Sequence, residues 1–312
     1  MSRGPSALSA LLAVDKPAGL TSHDVVARVR RALGERRVGH AGTLDPVATG
    51  VLVVGVGQAT RLLGLLALDR KGYRATFSLG AETTTDDADG EVTSVADVDR
   101  ALLDPERAAT EVGRLVGEQD QVPPRYSAVS VGGRRAYAAA RAGEELELSA
   151  RRVTVHDARL VSVDHEAAAW VVDLDVSKGT YVRSIARDLG RSLGCLAHVS
   201  GLRRTFSGPV TLADCVTLDE LAEQGALLVR ERCLDPAATL GLPVRDLSLD
   251  EVPDVMNGRR IQPGALRSGA APGPGERVAL SFGGALVGVW RREGARLVCE
   301  SNFPQAIEGV RP

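Results

Sequence analysis

The loop from Gly39 to Pro46, with the sequence GHAGTLDP, places a carboxylate in an unusually constrained stretch of backbone. Asp45 precedes a proline, which disfavours the α conformation for the residue before it and favours extended geometry. Gly39 and Gly42 permit a close backbone approach or a positive φ on the N-terminal side. A carboxylate held in this way is oriented in advance, so Asp45 is our candidate catalytic group. An isolated Asp-Pro pair more often marks a plain turn, and the rest of the chain must decide.

Few other side chains are arranged for catalysis. The five histidines are scattered and form no Ser-His-Asp set, and only His40 lies close to Asp45 in sequence. Aromatic residues make up 3% of the chain, so each tyrosine is informative. Tyr73 and Tyr181 would supply a stacking face and a hydroxyl group. Arg183 is a candidate neighbour that would keep Asp45 ionised by lowering the pKa of its carboxyl group.

The composition is that of a soluble globular protein: 44% of the 312 residues are hydrophobic and 25% are charged. This length exceeds one average domain, which favours one large domain and a small one. The net charge of −2 argues against a uniformly basic nucleic-acid binder, although a local basic face stays open. The N-terminal apolar run is interrupted by Asp15 and Lys16, too early for a signal peptide or membrane span. We therefore expect a cytoplasmic protein.

Metal and cofactor signatures are missing from the sequence. The four cysteines stand far apart, with no C-x-x-C pair and no histidine cluster, which argues against a disulfide scaffold and a zinc site. The run from Asp87 to Gly90 resembles part of a calcium loop but lacks the bidentate Glu at the twelfth position. No phosphate-binding loop or dinucleotide fingerprint occurs. We expect no metal and no cofactor.

Only three of the 38 basic residues are lysines, and each lies within a motif: Lys16, Lys71 and Lys178. A compact ammonium group differs from a planar guanidinium in size and hydrogen-bond geometry. Unless this distribution is chance, the three positions are places where an arginine does not fit.

The elements that position these residues follow from hydrophobic periodicity. Strands are predicted at 8–14, 51–57, 70–79, 152–163 and 168–176, and helices at 21–33, 105–116, 134–143, 182–193 and 217–224. A Thr-x-x-Asp capping pattern opens the first helix and Gly34 ends it. Tyr181 and Arg183 lie at the start of the helix 182–193. The acidic segment 81–91 is too polar for a core, so we interpret it as a ligand-contacting loop or a solvated turn.

The composition changes near residue 245, where the chain becomes rich in proline and glycine. Two short strands, 277–282 and 285–291, are joined at Gly283-Gly284 as a predicted hairpin, and a third follows near 296–301. We therefore predict a catalytic domain over 8–244 and a small β-rich domain over 245–306.

Six separated stretches resemble, in chain order, the signatures of the bacterial TruB-type tRNA pseudouridine synthases. They read DKPAGLTSHDVV, RRVGHAGTLDPVATGVLVVGVGQATR, KGYRATFSLG, TDDADG, VPPRYSAVSVGGRRAY and SKGTYVRSIARDLG. The resemblance rests on their joint order across residues 12–205. It implies isomerisation of the uridine at position 55, in the T-loop of tRNA, to pseudouridine, without metal or cofactor. The implied partner is tRNA, with no membrane and no obligate protein partner.

The resemblance also implies a fold. It is an α/β (α+β) fold with a mixed, largely antiparallel sheet and flanking helices, followed by a PUA-like RNA-binding domain at the C-terminus. The C-terminal region matches that pattern only loosely. A second departure is Ser130, which stands where the family commonly has a lysine, so one cationic RNA contact is in doubt.

Roles for the site residues follow from the same resemblance. Asp45 is the implied nucleophile, and attack on the ribose and attack on the base both stay open. The target uridine leaves its loop and stacks on Tyr73, Tyr181 contacts the flipped base, and Arg183 pairs with Asp45.

Further residues receive supporting roles from the resemblance. Leu202 lines the pocket, and His40 fills or flanks the space that the base leaves. Lys16 and Pro17 support the pocket wall beneath the stacking tyrosine, and Asp87 provides an RNA contact or pocket support.

Two other functions remain in competition. In the first, the protein acts mainly as a tRNA-folding chaperone or binding module. In the second, it is a pseudouridine synthase that acts on other RNAs. The joint presence of Asp45, Tyr73, Tyr181 and Arg183 argues against a purely binding role, although an enzyme can also assist tRNA folding.

Overall fold

A computed structural model describes residues 8–66, 70–127, 129–131, 134–135, 137, 146 and 148–312. The described residues form two compact units. The Asp45 unit is drawn from Met1–Pro46, Gly50–Leu68 and Phe206–Pro312, and the Tyr181 unit from Val47–Thr49 and Asp69–Thr205. Among the described residues, every helix is too short or too polar to span a lipid bilayer.

Helices and strands are interspersed along the described part of the chain. The α-helices are α1 (Ser22–Leu33), α2 (Leu63–Leu66), α3 (Pro105–Gly113), α4 (Val182–Leu193), α5 (Leu218–Gln224), α6 (Ala226–Arg232), α7 (Pro236–Thr239) and α8 (Val252–Met256). Short 3-10 helices occupy Gly57–Leu62, Arg100–Leu103, Leu212–Asp214 and Leu249–Glu251. The strands are β1 (Ala10–Lys16), β2 (Val38–Ala41), β3 (Thr49–Val56), β4 (Lys71–Leu79), β5 (Ala81–Thr83), β6 (Val92–Val95), β7 (Gly117–Gln121), β8 (Ser130–Val131), β9 (Arg134–Arg135), β10 (Arg151–Asp164), β11 (Ala169–Val176), β12 (Ala197–Ser207), β13 (Val210–Thr211), β14 (Cys215–Val216), β15 (Val244–Asp246), β16 (Arg277–Phe282), β17 (Ala285–Glu293) and β18 (Arg296–Glu308).

In the Asp45 unit, β1 runs parallel to β14 and antiparallel to β3, and β2 pairs antiparallel with β3. β1 and β3 are almost fully buried, as expected for strands whose apolar runs show no alternation. α1 begins and ends where the sequence predicts. Thr21 and Asp24 form a capping box, and Gly34 ends the helix in the left-handed conformation, with φ 61°.

The C-terminal part of the Asp45 unit is a four-stranded sheet in the order β15-β16-β17-β18. The predicted hairpin is confirmed, because Gly283 and Gly284 join β16 to β17 with φ values of 59° and 75°. Phe303 and other residues of this sheet share a hydrophobic core with residues of β1 and β3. A second core forms around Trp290. The predicted β-rich character of the C-terminal region is therefore confirmed.

The Tyr181 unit contains the strand order β12-β4-β11-β10-β7, with antiparallel pairing from β4 to β7. The side chains of β4 that the sequence assigns to one face are all buried: Tyr73, Ala75, Phe77 and Leu79. α4 has the predicted bounds and ends at Gly194 with φ 74°. Mostly antiparallel sheets with flanking helices confirm the predicted α/β (α+β) fold class.

The elements that the structure shows differ from those predicted at two places. The sequence did not predict β12, whose polar run HVSGLRR lacks clear alternation. This strand lies beside β4, where a Cβ on Gly201 would come within 3.0 Å of the Thr76 hydroxyl oxygen, so the close approach needs glycine. Arg134 and Arg135 form β9 instead of opening a helix. The rest of the helix predicted over 134–143 lies almost entirely outside the described residues, as does the side chain of Ser130.

Candidate active site

The loop that carries Asp45 connects β2 to β3, and the Asp45 side chain is half-buried. Gly42 has φ 75°, a left-handed conformation that favours glycine. Gly39 lies so close to the Leu63 side chain that a Cβ would meet its Cδ1 atom at 3.0 Å. The two glycines therefore serve the two purposes that the sequence suggested, one a positive φ and the other a close approach.

Ser22 holds the residue that precedes Asp45. Its side chain is buried at the first position of α1, and its hydroxyl donates to the Leu44 carbonyl at 3.1 Å and accepts from the Leu44 N–H at 2.9 Å. A hydroxyl can both donate and accept, so one side chain pairs both polar main-chain groups of Leu44. An unpaired buried group of this kind would cost about 1–3 kcal/mol. Leu44 is thereby fixed to the start of α1.

Lys16 holds the residue that follows Asp45. Its fully buried ammonium group donates to the carbonyls of Pro17, at 2.9 Å, and Pro46, at 3.2 Å. The Gly19 N–H also donates to the Pro46 carbonyl, at 2.9 Å. Pro17 itself is exposed. Asp45 therefore lies between two residues whose main-chain atoms are fixed, and one compact ammonium group reaches both carbonyls.

His40 lies on β2 in the same unit and is half-buried. Its ring contacts the ring of His23 edge-to-face, with centroids 5.4 Å apart and an interplanar angle of 87°. His23 belongs to the first turn of α1, so His40 packs beside the helix that also fixes Leu44. Its predicted place in the space left by a base stays a prediction.

In the Tyr181 unit, Arg183 and Asp87 form a buried ion pair, with Nη1 and Oδ2 3.3 Å apart. Arg183 also donates to the main-chain carbonyls of Thr85, at 2.7 Å, and Tyr126, at 3.0 Å. Asp87 in turn accepts from the main-chain N–H of Asp89, at 3.2 Å. A buried charge needs such pairing, because desolvation is otherwise costly. The pairing of Arg183 with Asp45, which belongs to the other unit, stays a prediction.

The Arg183–Asp87 pair is the first of three on one face of α4. Four residues further along the helix, Arg187 contacts Asp86 at 2.9 Å, and after four more Arg191 contacts Glu82 at 2.8 Å. Burial raises the pKa of Asp86, although Arg187 opposes the rise. This arrangement corrects the expectation that segment 81–91 is too polar for a core: Glu82 and Asp87 are buried, which is tolerated because each carboxylate meets an arginine.

The remaining candidates lie on three elements of the Tyr181 unit. Tyr73 is buried on β4 opposite Leu174 of β11, and Leu202 is half-buried on the adjacent strand β12. Tyr181 is half-buried and occupies the N-cap position of α4, two positions before Arg183. The structure thus brings Arg183, Asp87 and Tyr181 to one helix start.

Sequence reasoning missed Ser22, Asp86 and Arg187. A serine inside a capping sequence gives no sign that its hydroxyl is turned towards a distant loop. The pairs of α4 left a better signal, because arginines at spacings of four share a helix face and would match an acidic segment elsewhere in the chain.

The sequence matches two family models. Residues 30–182 match the TruB family pseudouridylate synthase N-terminal domain, and residues 183–238 match the tRNA pseudouridylate synthase B C-terminal domain. The tRNA pseudouridine synthase B of Thermobifida fusca is 54% identical over 258 residues, which cover 80% of this chain and 85% of that protein. The protein of the same name from Nocardia farcinica is 46% identical over 293 residues, covering 93% and 91%.

Solved structures are similar in fold. The structure of an H/ACA RNP bound to a substrate RNA containing 2'-deoxyuridine aligns with a TM-score of 0.67 at 23% identity, covering 94% of this chain and 84% of that chain. The archaeal box H/ACA sRNP Nop10-Cbf5 complex gives 0.65 at 25% identity, covering 94% and 86%.

Proposed function

Because the chain belongs to the TruB family of pseudouridine synthases, we propose that it isomerises uridine 55 in the T-loop of tRNA to pseudouridine, with Asp45 as the nucleophile. The observation that carries the proposal is the backbone support of Asp45. Leu44 is fixed by Ser22, and Pro46 is fixed by Lys16 and Gly19. A carboxylate between two fixed residues loses little further freedom when it attacks, which is how orientation lowers a barrier.

The chemistry needs one nucleophile and a closed pocket. The N-glycosidic bond of the uridine breaks, the uracil turns, and a bond from carbon to the ribose replaces the one from nitrogen. The carbon loses its proton, the nitrogen gains one, and the bond to Asp45 breaks again, so substrate and product are isomers. A single carboxylate nucleophile fits attack on the ribose as well as attack on the base. Arg183 would pair with Asp45 and keep its carboxylate ionised.

The uridine must leave its loop before it reacts. Extrusion of a base costs a few kcal/mol, and stacking on an aromatic ring returns roughly 1–3 kcal/mol. Tyr73 is the proposed stacking residue and Tyr181 the proposed contact to the flipped base. Leu202 lines the pocket, His40 flanks the space that the base leaves, and Asp87 supports Arg183.

The proposed division of labour assigns catalysis to residues 8–244 and additional grip on the RNA to a PUA-like domain over 245–306. The substrate is tRNA, bound through its T-arm without an obligate protein partner, in the cytoplasm. Lys16 and Pro17 would support the pocket wall beneath the stacking tyrosine.

The test is the substitution Asp45→Asn, which keeps the shape of the side chain and removes its nucleophilic carboxylate. Asp219→Asn, at an exposed position in α5, is the matched control. Mass-resolved mapping of pseudouridine in a T-arm hairpin RNA should show product with the wild type and with the control, and none with Asp45→Asn, while all three proteins bind the RNA. Normal turnover by Asp45→Asn would overturn the assignment.

A further inference from the structure

Gln121, the last residue of β7, holds the main chain of Tyr181. Its buried side-chain amide accepts a hydrogen bond from the Tyr181 N–H at 2.8 Å and donates one to the Tyr181 carbonyl at 3.1 Å. If the amide were reversed, its NH2 group would face the Tyr181 N–H and its oxygen would face the Tyr181 carbonyl. The two contacts therefore define the orientation of the amide. One side chain thereby fixes the peptide groups on both sides of the Tyr181 Cα atom, and with them the direction of the Cα–Cβ bond.

This contact lies at a helix start whose N-cap residue supplies no side-chain capping hydrogen bond. Tyr181 is the N-cap residue of α4 in an extended conformation, with φ −104° and ψ 111°, and its own side chain makes no capping hydrogen bond. Its carbonyl also accepts the first helical bond, from the N–H of Ile185 at 3.2 Å. A buried main-chain N–H is almost always paired, and at this position the partner is an amide from a neighbouring strand.

The residue directly after Gln121 also contacts α4, in its first two turns. The Val122 carbonyl accepts hydrogen bonds from the Ser184 hydroxyl and from Arg187, both at 2.9 Å. Gln121 itself is paired with Arg151 in the β7–β10 ladder. The first turn of α4 is therefore tied to a strand of the sheet, and Gln121 is the member of this connection that touches Tyr181.

We propose that Gln121 is a positioning residue for Tyr181: its amide fixes the Tyr181 main chain so that the phenol ring meets the target uridine in a single orientation. This inference rests on the proposed function, in which Tyr181 contacts the flipped base. A displacement of about 1 Å in a reacting arrangement can cost on the order of a hundredfold in rate, so a residue that touches no substrate can still control turnover.

The experiment measures single-turnover pseudouridine formation on a T-arm hairpin RNA, together with RNA affinity and thermal unfolding. Gln121→Ala removes both hydrogen bonds, and Gln121→Glu keeps the acceptor for the Tyr181 N–H but loses the donor to its carbonyl. The rate constant should fall most for Gln121→Ala, by on the order of a hundredfold, and less for Gln121→Glu, while RNA affinity is unchanged. Gln121→Glu carries the test if Gln121→Ala does not fold.

Gln119→Ala is the matched control. Gln119 has the same side chain on the same strand, but its amide donates to the Leu115 carbonyl, at 3.4 Å. Its substitution should leave the rate constant at the wild-type value. A loss of equal size in this variant would overturn the proposal, because it would indicate a general weakening of β7.

A double-mutant cycle separates positioning from general stability. Once Tyr181→Leu has removed the phenol ring, Gln121→Ala should cause little further loss of rate, because the group that Gln121 positions is gone. Losses that multiply would overturn the inference, and so would a wild-type rate in Tyr181→Leu. If the wild type itself forms no pseudouridine, the proposed function fails. If the wild type is active and Gln121→Ala is equally fast, this inference alone fails.

Discussion

Buried side chains bind main-chain groups beside Asp45 and at Tyr181. The two units differ in the chemistry of these side chains. In the Asp45 unit a neutral hydroxyl, from Ser22, and a buried ammonium, from Lys16, act on the flanking residues Leu44 and Pro46. Both bind carbonyls or N–H groups. The Asp45 carboxylate therefore lies between two main-chain positions that buried side chains fix.

The Tyr181 unit combines a neutral amide with a row of charges. Gln121 fixes the main chain of Tyr181, while Arg183 and Arg187 pair with Asp87 and Asp86. A buried ion pair adds little net stability but is expensive to break from one side, because it leaves an unpaired charge. The difference predicts that the ion pairs of the Tyr181 unit govern its stability, and that the side chains that bind main-chain groups govern orientation in both units.

The largest expected effect comes from breaking the ion pair. Arg183→Met should lower the free energy of unfolding by about 3–5 kcal/mol, because the Asp87 carboxylate is left buried without its arginine. Urea unfolding measures this loss. Arg74→Met is the matched control in the same unit, because Arg74 and Asp173 form an exposed pair, for which about 0–1 kcal/mol is expected.

A second substitution tests the cause of that loss. Adding Asp87→Asn to Arg183→Met removes the uncompensated charge and should restore part of the stability. Equal losses for Arg183→Met and Arg74→Met, or no recovery in the double variant, would contradict a dominant role for charge in the Tyr181 unit.

An intermediate effect is expected for the neutral contact of the Asp45 unit. Ser22→Ala leaves at least one polar main-chain group of Leu44 unpaired and should cost about 1–3 kcal/mol of unfolding free energy. It should also slow single-turnover pseudouridine formation by up to about a hundredfold, because Leu44 positions Asp45. RNA affinity should not change.

The control for Ser22→Ala is Thr217→Ala, which removes the N-cap of α5 in the same unit. Its stability cost is similar, about 0.5–2 kcal/mol, but the Thr217 hydroxyl pairs with Glu220 in its own helix. If the two variants lose rate equally, the role of Ser22 is stability alone.

The sequence predicted those elements whose signals are local. The Thr21-Asp24 capping box, the stop at Gly34 and the hairpin at Gly283-Gly284 all lie within a few residues of the structure that they specify. β12 was missed because its polar run around Gly201 has no periodicity of its own, and its place beside β4 is set by tertiary contacts.

The candidate site shows more clearly that the sequence reveals local signals but not tertiary contacts. Asp45, Tyr181 and Arg183 could be proposed from the sequence because they lie in short motifs. The burial of Asp86 was not foreseen, since its partner Arg187 comes 101 residues later in the chain. Ser22 and Gln121 escaped notice for a related reason: a side chain that binds main-chain atoms leaves no complementary residue type in the sequence.

The smallest expected effect is a difference in the pH dependence of two carboxyl groups, one in each unit. Hydrogen bonds from Thr21 lower the pKa of Asp24 below its ordinary value of 3.8, whereas burial raises the pKa of Asp86 above 3.8. The stabilisation from Asp24 is therefore complete above pH 3.8 and is lost as the pH falls through its lower, folded-state pKa. Asp86 behaves oppositely: its charge opposes folding at neutral pH, and this penalty is relieved as the pH falls through its raised pKa towards 3.8.

Urea midpoints of the wild type, Asp24→Asn and Asp86→Asn across this range measure both effects. From neutral pH down to 3.8 the wild type should gain stability relative to Asp86→Asn, and below 3.8 it should lose stability relative to Asp24→Asn. Two differences that change in the same direction would show that the carboxyl groups of the two units do not differ as the structure indicates.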